Sequence, residues 1–212
     1  MIEPQADSRP FPPALQAAQR TSAYSVPCMN VRLTDGTIQL RPFKRGDTVA
    51  LYEATLESLD LLCSWMNWCR RSYSVDDCIS FLSQTETDWQ LDRSYNFAVI
   101  DTDKGNFLGS IALNQVNRAD NSANVGYWIR QSWIGRGMAT RALKLMAQFA
   151  FSNLQLSRLE IVVPEGNLAS QRVAQKAGGT FEGRHRREIV LNGKFHDGIV
   201  FFLARPGTVE QP

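Results

Sequence analysis

The strongest constraint on the fold lies between residues 126 and 151, GYWIRQSWIGRGMATRALKLMAQFAF. A run with the character of a buried strand meets two glycines, Gly135 and Gly137, and passes directly into a helical pattern. In that pattern Ala139, Ala142, Leu143, Met146, Phe149 and Ala150 share one face, with Arg136, Arg141 and Lys144 largely off it. The amides of residues 135 to 140 then have no intrahelical acceptors, and the helix dipole adds roughly half a positive charge at that point. This combination suits an anion, the glycines removing side chains that would block its approach. A tight turn with no ligand would use the same glycines. The pattern is neither a P-loop, which needs Lys-Ser/Thr after its second glycine, nor a G-x-G-x-x-G dinucleotide turn.

A chain of 212 residues, 43% hydrophobic, can build one good core but not two full domains. A formal charge of +2 supplies no wide basic field, so nucleic acid is not an expected partner. The sequence has no run of about 18 apolar residues, which excludes a membrane-spanning helix. The opening MIEPQADSRPFPPALQ lacks the basic-then-apolar order of a secretory signal. Cys28, Cys63, Cys69 and Cys78 form no C-x-x-C pair, and His185 and His196 stand far from them in sequence. Neither a metal site nor a disulfide framework is expected, and the cysteines read as reduced thiols of a cytoplasmic protein.

Residues 1–27, with Pro10, Pro12, Pro13 and Pro27, read as an extended or partly ordered arm; 28–206 as one domain; 207–212 as a tail. VRLTDGTIQLRPF alternates around Asp35-Gly36 and predicts a hairpin, followed by a helix over 48–58. Residues 59–89 are unevenly helical, with Ser74 as an N-cap. YNFAVID, NFLGSIALNQV and NSANVGYWIR predict an antiparallel meander. After the glycine turn and its helix come RLEIVVP, expected as a strand covered on both faces, and NLASQRVAQKAGG, a helix stopped by Gly178-Gly179. A last hairpin turns at Asn192-Gly193. The class is mixed α/β of the α+β type.

Ile134-Gly135-Arg136-Gly137-Met138-Ala139 resembles motif A of the GCN5-related N-acetyltransferases, in which a Q/R-x-x-G-x-G/A turn holds the pyrophosphate of acetyl-CoA. Ile134 departs from the family's Gln or Arg; that removes a polar side chain but not the backbone donors. Downstream, Asn167, Ser170, Val173, Ala174, Lys176, Glu182 and Gly183, with the NG-aromatic-HD hairpin, are similar to the RimJ/RimL branch. Gly179-Thr180-Phe181 carries one residue more than that branch's Gly-Phe. LRPF and VGYWI complete a likeness that spans residues 31–204.

The resemblance implies a mostly antiparallel sheet with splayed central strands, flanked by helices. It also implies acetyl-CoA as co-substrate, with direct transfer of the acetyl group to a protein N-terminal or small-molecule amine, by a monomer or homodimer. By the same likeness the coenzyme would meet Ile129, Arg130, Gly135, Arg136, Gly137, Met138, Ala139, Thr140, Asn167, Ser170 and Lys176. Ser170 would protonate the departing thiolate. Tyr95 occupies the place where some relatives carry a glutamate, although a phenol with its ordinary pKa is a poor base at neutral pH. Glu57 and Asp92 are weaker alternatives, and a dedicated base is not required for an α-amine. Trp65, Trp68 and Tyr73 either pack their helices or floor an acceptor site, and His196 on the last hairpin either touches the substrate or holds the hairpin. A coenzyme-binding module without turnover is the alternative to an enzyme.

Overall fold

The computed structural model describes residues 29–207. The expected arm, Cys28 and residues 208–212 of the expected tail lie outside the described residues. The chain runs β1 (Leu33–Thr34), β2 (Ile38–Pro42), α1 (Thr48–Glu57), α2 (Leu59–Trp65), α3 (Val75–Gln90), β3 (Tyr95–Asp101), β4 (Phe107–Asn117) and β5 (Ser122–Ile129). It continues through α4 (Met138–Ser152), β6 (Arg158–Pro164), α5 (Leu168–Lys176), β7 (Thr180–Leu191) and β8 (Lys194–Ala204). Among the described residues the strands form one eight-stranded sheet in the order β1-β2-β3-β4-β5-β6-β8-β7. Every pairing is antiparallel except β5 with β6. The expected hairpin, helices, meander and terminal hairpin are present, although β1 is only two residues long.

Local chemistry explains the helix starts. Ser74 and Asp77 form a reciprocal capping box at α3. Asn167 caps α5 by accepting from the Ser170 amide at 3.1 Å. The apolar stripe of α4 (Ala142, Leu143, Met146, Phe149 and Ala150) is fully buried against one face of the sheet. Tyr95, Phe97 and Val99 of β3 meet it there, with Trp89 and Phe149 ring to ring. The other face, from Ala98, Ile100 and Phe107, packs under α1 and α3. In β6 only Leu159, Ile161, Val163 and Pro164 are buried, so the strand is covered more fully on one face than expected. The extra residue before Phe181 is followed at once by a bulge, where the β7–β8 register shifts between Phe181 and Gly183.

Two features set up the site. The β5–β6 ladder is made at Ser122, Ala123 and Asn124 and goes no further, so Val125–Ile129 diverges from β6. This is the expected splay. The second feature is a correction. Cys63 and Cys69 are joined by a disulfide that closes the segment after α2, while Cys78 is a buried free thiol. Six residues of sequence separation on a helix and its following turn bring the two together, a proximity that the spacing rules for metal and disulfide motifs do not register.

Candidate active site

Gly135 and Gly137 hold φ of +78° and +79°, a conformation that other residues adopt only with strain. An added Cβ would meet nothing within 4 Å at either position, so backbone geometry rather than crowding selects glycine. Gly137 is the N-cap of α4, and the first intrahelical bond after it runs from the Arg141 amide to its carbonyl at 3.1 Å. The first-turn amides therefore face outward at the positive end of a 15-residue helix. The helix end is fixed from both sides. The Arg141 guanidinium donates to Asp35 at 2.7 Å, and Glu57 accepts from the Ser132 amide at 2.8 Å while pairing with Arg130. Burial alone would raise the Glu57 carboxyl; the bonds from Ser132 and Arg130 outweigh it and hold the group below its usual range. Arg136 stacks on Trp133, 4.8 Å from the ring centre.

From this turn a cleft of about 400 Å³ runs along the splayed end of β5 to the start of α5. Ile129, Ile134, Gly135, Gly137, Met138, Ala139, Thr140, Asn167, Ser170, Arg172 and Lys176 line it, so the structure brings most of the expected coenzyme residues together. Arg130 and Arg136 are not in its lining; they brace the turn instead. The cradle fits a pantetheine-linked pyrophosphate: outward amides at one end, an apolar channel between, and polar Asn167 and Ser170 at the other.

A second cleft, of about 510 Å³, lies on the α1–α3 side of the same strands. Its walls include Met66, Trp68, Tyr73 and Phe81, and Trp128 rises from β5 to meet Trp68 at 6.5 Å between ring centres. Its floor is a row of uncharged polar groups. Ser110, Ala112 and Asn114 alternate onto one face of β4, with Asn96 from β3 and Gly126 from β5 alongside.

Tyr127 lines both clefts. Its phenol lies 2.9 Å from the Ser170 hydroxyl and 3.1 Å from the Ser170 carbonyl. Burial pushes its pKa up to about 12, against the opposing bond from Ser170, so the phenol remains a proton donor at neutral pH.

Several expected site residues lie elsewhere. Tyr95 is completely buried on the α4 face of β3, its hydroxyl bonded to Asp92. Burial first, then that carboxylate, raises its pKa further from neutrality. The neighbouring Asn96 is the residue that faces the cleft: one position along a strand exchanges the faces. Asp92 is held by Arg118 in an ion pair at 2.6 Å, and neither it nor Glu57 lines either cleft. Trp65 lines the coenzyme-side cleft, close to Gly166, rather than the acceptor floor. Trp68 and Tyr73 do line the second cleft, with the Tyr73 hydroxyl 3.2 Å from the Cys78 thiol. His196 is exposed on β8 opposite Ile189 and reaches neither cleft. Asp197 instead ties the hairpin by accepting from the Arg187 amide and pairing with Arg184. The sequence reading missed the Tyr127 side chain and the Asn96–Ser110–Asn114 row. The signal for the row was present as polar residues at alternate positions of an otherwise apolar strand.

The family model for the Acetyltransferase (GNAT) domain matches residues 37–180. The "Probable N-acetyltransferase YjcK" of Bacillus subtilis is 30% identical over 135 residues, 63% of this chain and 75% of that protein. The spermidine N(1)-acetyltransferase of Escherichia coli is 27% identical over 77% of this chain and 83% of its own. Among solved structures, RimL, a ribosomal L7/L12 α-N-protein acetyltransferase in complex with coenzyme A, superposes with a TM-score of 0.77. It is 20% identical, covering 82% of this chain and 98% of its own.

Proposed function

The chain belongs to the GNAT acetyltransferases, an N-acetyltransferase that uses acetyl-CoA, and we propose that it carries out transfer through a pair of hydroxyls between two opposed clefts. The coenzyme occupies the cleft that begins at Gly135–Thr140, with its thioester reaching the splayed end of β5. The acceptor amine enters from the Trp68–Tyr73–Trp128 side. Its nitrogen attacks the thioester carbonyl carbon, the C–N bond forms, the C–S bond breaks, and sulfur leaves as a thiolate. Unpaired backbone groups of Val125–Ile129 orient the carbonyl. The Ser170 hydroxyl gives the thiolate its proton and draws one from the Tyr127 phenol, which is restored by the proton that the attacking nitrogen sheds as the amide forms. A serine alone is a far weaker acid than a thiol; a phenol behind it narrows the mismatch.

The observation that carries this reading is the position of Tyr127, which lines both clefts and hydrogen-bonds Ser170. Among the described residues the one carboxylate that lines either cleft, Asp77, is held by Arg70 and Ser74, so the amine is taken up in its neutral form. The coenzyme also supports a cytoplasmic location, because acetyl-CoA is made and used there. In a reducing cytoplasm Cys63 and Cys69 would be held as thiols.

Ser170→Ala is the test. Turnover should fall about 100-fold, with acetyl-CoA affinity by calorimetry within a few-fold of the parent. Unchanged turnover would remove Ser170 from the chemistry.

A further inference from the structure

The walls and floor of the second cleft define what kind of amine can occupy it. Four aromatic side chains contributed by three segments, Trp68, Tyr73, Phe81 and Trp128, surround the space. Phe81 is on α3, Trp128 on β5, and Trp68 and Tyr73 on the loop between α2 and α3. Trp68 stands tilted against both Tyr73, at 5.9 Å, and Trp128, at 6.5 Å between ring centres. An array of this kind offers flat, apolar faces and the edge-to-face contacts that aromatic rings favour.

The floor offers hydrogen bonds without charge. The Asn96 amide donates to Ser94 at 2.9 Å, leaving its carbonyl oxygen for a ligand. The Asn114 side chain makes no hydrogen bond among the described residues, and Ser110 lies on the same face of β4, on the other side of Ala112, the residue opposite Asn96. Among the described residues Asp77 is the single carboxylate in the lining, and it is already engaged by the Arg70 guanidinium and by both the amide and the hydroxyl of Ser74. A polyamine carries several ammonium groups, and each one that it buries needs a carboxylate or the face of an aromatic ring. This cleft has no free carboxylate to give, its rings serve one flat group better than several separated charges, and Arg70 adds a cation at its rim.

An extended peptide is disfavoured for a separate reason. Peptides are commonly held through their main chain along a sheet edge, but β3 and β4, which form most of the floor, are each paired on both sides. The stretch of β5 left unpaired by β6 borders both clefts, and in the reading above its free backbone groups are taken by the thioester. A volume of about 510 Å³ is that of a small-molecule site.

We propose that the acceptor is a small primary monoamine bearing a flat aromatic or heteroaromatic ring. The ring lies among Trp68, Tyr73 and Trp128, and the amine points past Asn96 and Asn114 toward Tyr127. This deepens the acetyltransferase reading and rests on it. It also sets the chain apart in specificity from the spermidine acetyltransferase to which it is similar.

The experiment follows thiol release from acetyl-CoA with tryptamine, 2-phenylethylamine, butylamine, spermidine and a Ser-Ala-initiated octapeptide. The parent protein is compared with Trp68→Ala and Trp68→Phe, and acetyl-CoA binding is measured by calorimetry alongside. Trp68 is 43% exposed, so its loss leaves the core intact. The expected result is kcat/KM for the two aryl amines at least 10-fold above that for butylamine and spermidine. Trp68→Ala should collapse that preference, Trp68→Phe should keep most of it, and the KM for acetyl-CoA should not move. Equal or faster turnover of spermidine, butylamine or the peptide overturns the inference and leaves the acetyltransferase reading standing. So does coenzyme binding with no turnover of either aryl amine. Failure to bind acetyl-CoA would instead overturn the reading beneath it, and the inference with it.

Discussion

The Tyr127 phenol must be protonated to donate toward Ser170, and its surroundings keep it so. Burial pushes its pKa to about 12, above the ordinary value near 10. The consequence for stability has a definite sign. Between the unfolded value near 10 and the folded value of about 12, the folded chain holds a proton that the unfolded chain has lost. Stability from this group is therefore complete below pH 10 and declines as the pH rises through that window. Tyr73 and Tyr95 are raised by burial too, so Tyr127→Phe should lessen, without abolishing, the fall in urea midpoint between pH 9 and 11. A slope identical to the parent's would show that the phenol titrates normally. The same variant tests the relay: kcat should drop about 10-fold or more while the KM for acetyl-CoA stays within a few-fold. An unchanged kcat would leave Ser170 acting without it. The residue scale is also where the sequence was hardest to read. Tyr95 and Asn96 are adjacent and both are buried, and strand alternation alone decides which one meets the clefts. The family likeness sets Tyr95 at the place of a glutamate in some relatives, and a shift of one residue along the strand exchanges the faces. The packing of Trp89, at the end of the preceding helix, and of Phe149, remote in sequence, around Tyr95 settles it the other way.

At the scale of elements, the site depends on how β4 approaches β5. Gly109 faces Ile129 at the open end of the splay, with a φ of +150°. A Cβ placed on it would lie 2.2 Å from the Trp128 carbonyl oxygen and 2.9 Å from the Ile129 Cα. Both obstructing atoms are backbone, so relief requires β5 itself to move. Gly109→Ala should destabilise the fold by about 2–4 kcal/mol, seen in denaturant midpoints. Because the displaced segment borders both clefts, it should also raise the KM for acetyl-CoA and for the amine together. Stability within about 0.5 kcal/mol of the parent would show that the strand yields freely. Most elements were legible because their signals are local: the capping box at Ser74, the Asn192-Gly193 turn and the helical stripe of α4 are written within a few consecutive residues. The splay was available only through the family resemblance, since nothing within β5 records where its pairing with β6 ends. The Cys63–Cys69 bond was missed for a related reason. It depends on α2 ending at Trp65 and the chain folding back, which brings the Cys69 sulfur 3.7 Å from the Leu59 carbonyl oxygen.

At the scale of the whole molecule, the sheet has two halves joined through β5 and β6 by only a short ladder, and the coenzyme cleft follows the gap beyond it. The α4 helix spans that gap on one face. Its buried stripe packs with residues of β2, β3 and β4 on one side and with β6, α5 and β8 on the other, all within a single core. A ligand held by the first turn of α4 and by α5 therefore bridges both halves, and its binding energy should appear as stability of the entire domain. At 100 times its dissociation constant, acetyl-CoA should stabilise the fold by about 2.7 kcal/mol. For a chain of this length that raises Tm by roughly 5–10 °C. Gly137→Val places a β-branched residue at a φ of +79° on the helix N-cap, which turns the first-turn amides away from a common point. The variant's own Tm will fall from strain, so the informative quantity is the further shift on adding acetyl-CoA. That shift should shrink to about 1 °C or less at a coenzyme concentration that saturates the parent. A full shift in Gly137→Val would mean that the coenzyme's phosphates are not held by the α4 terminus, and that the two glycines serve only to turn the chain.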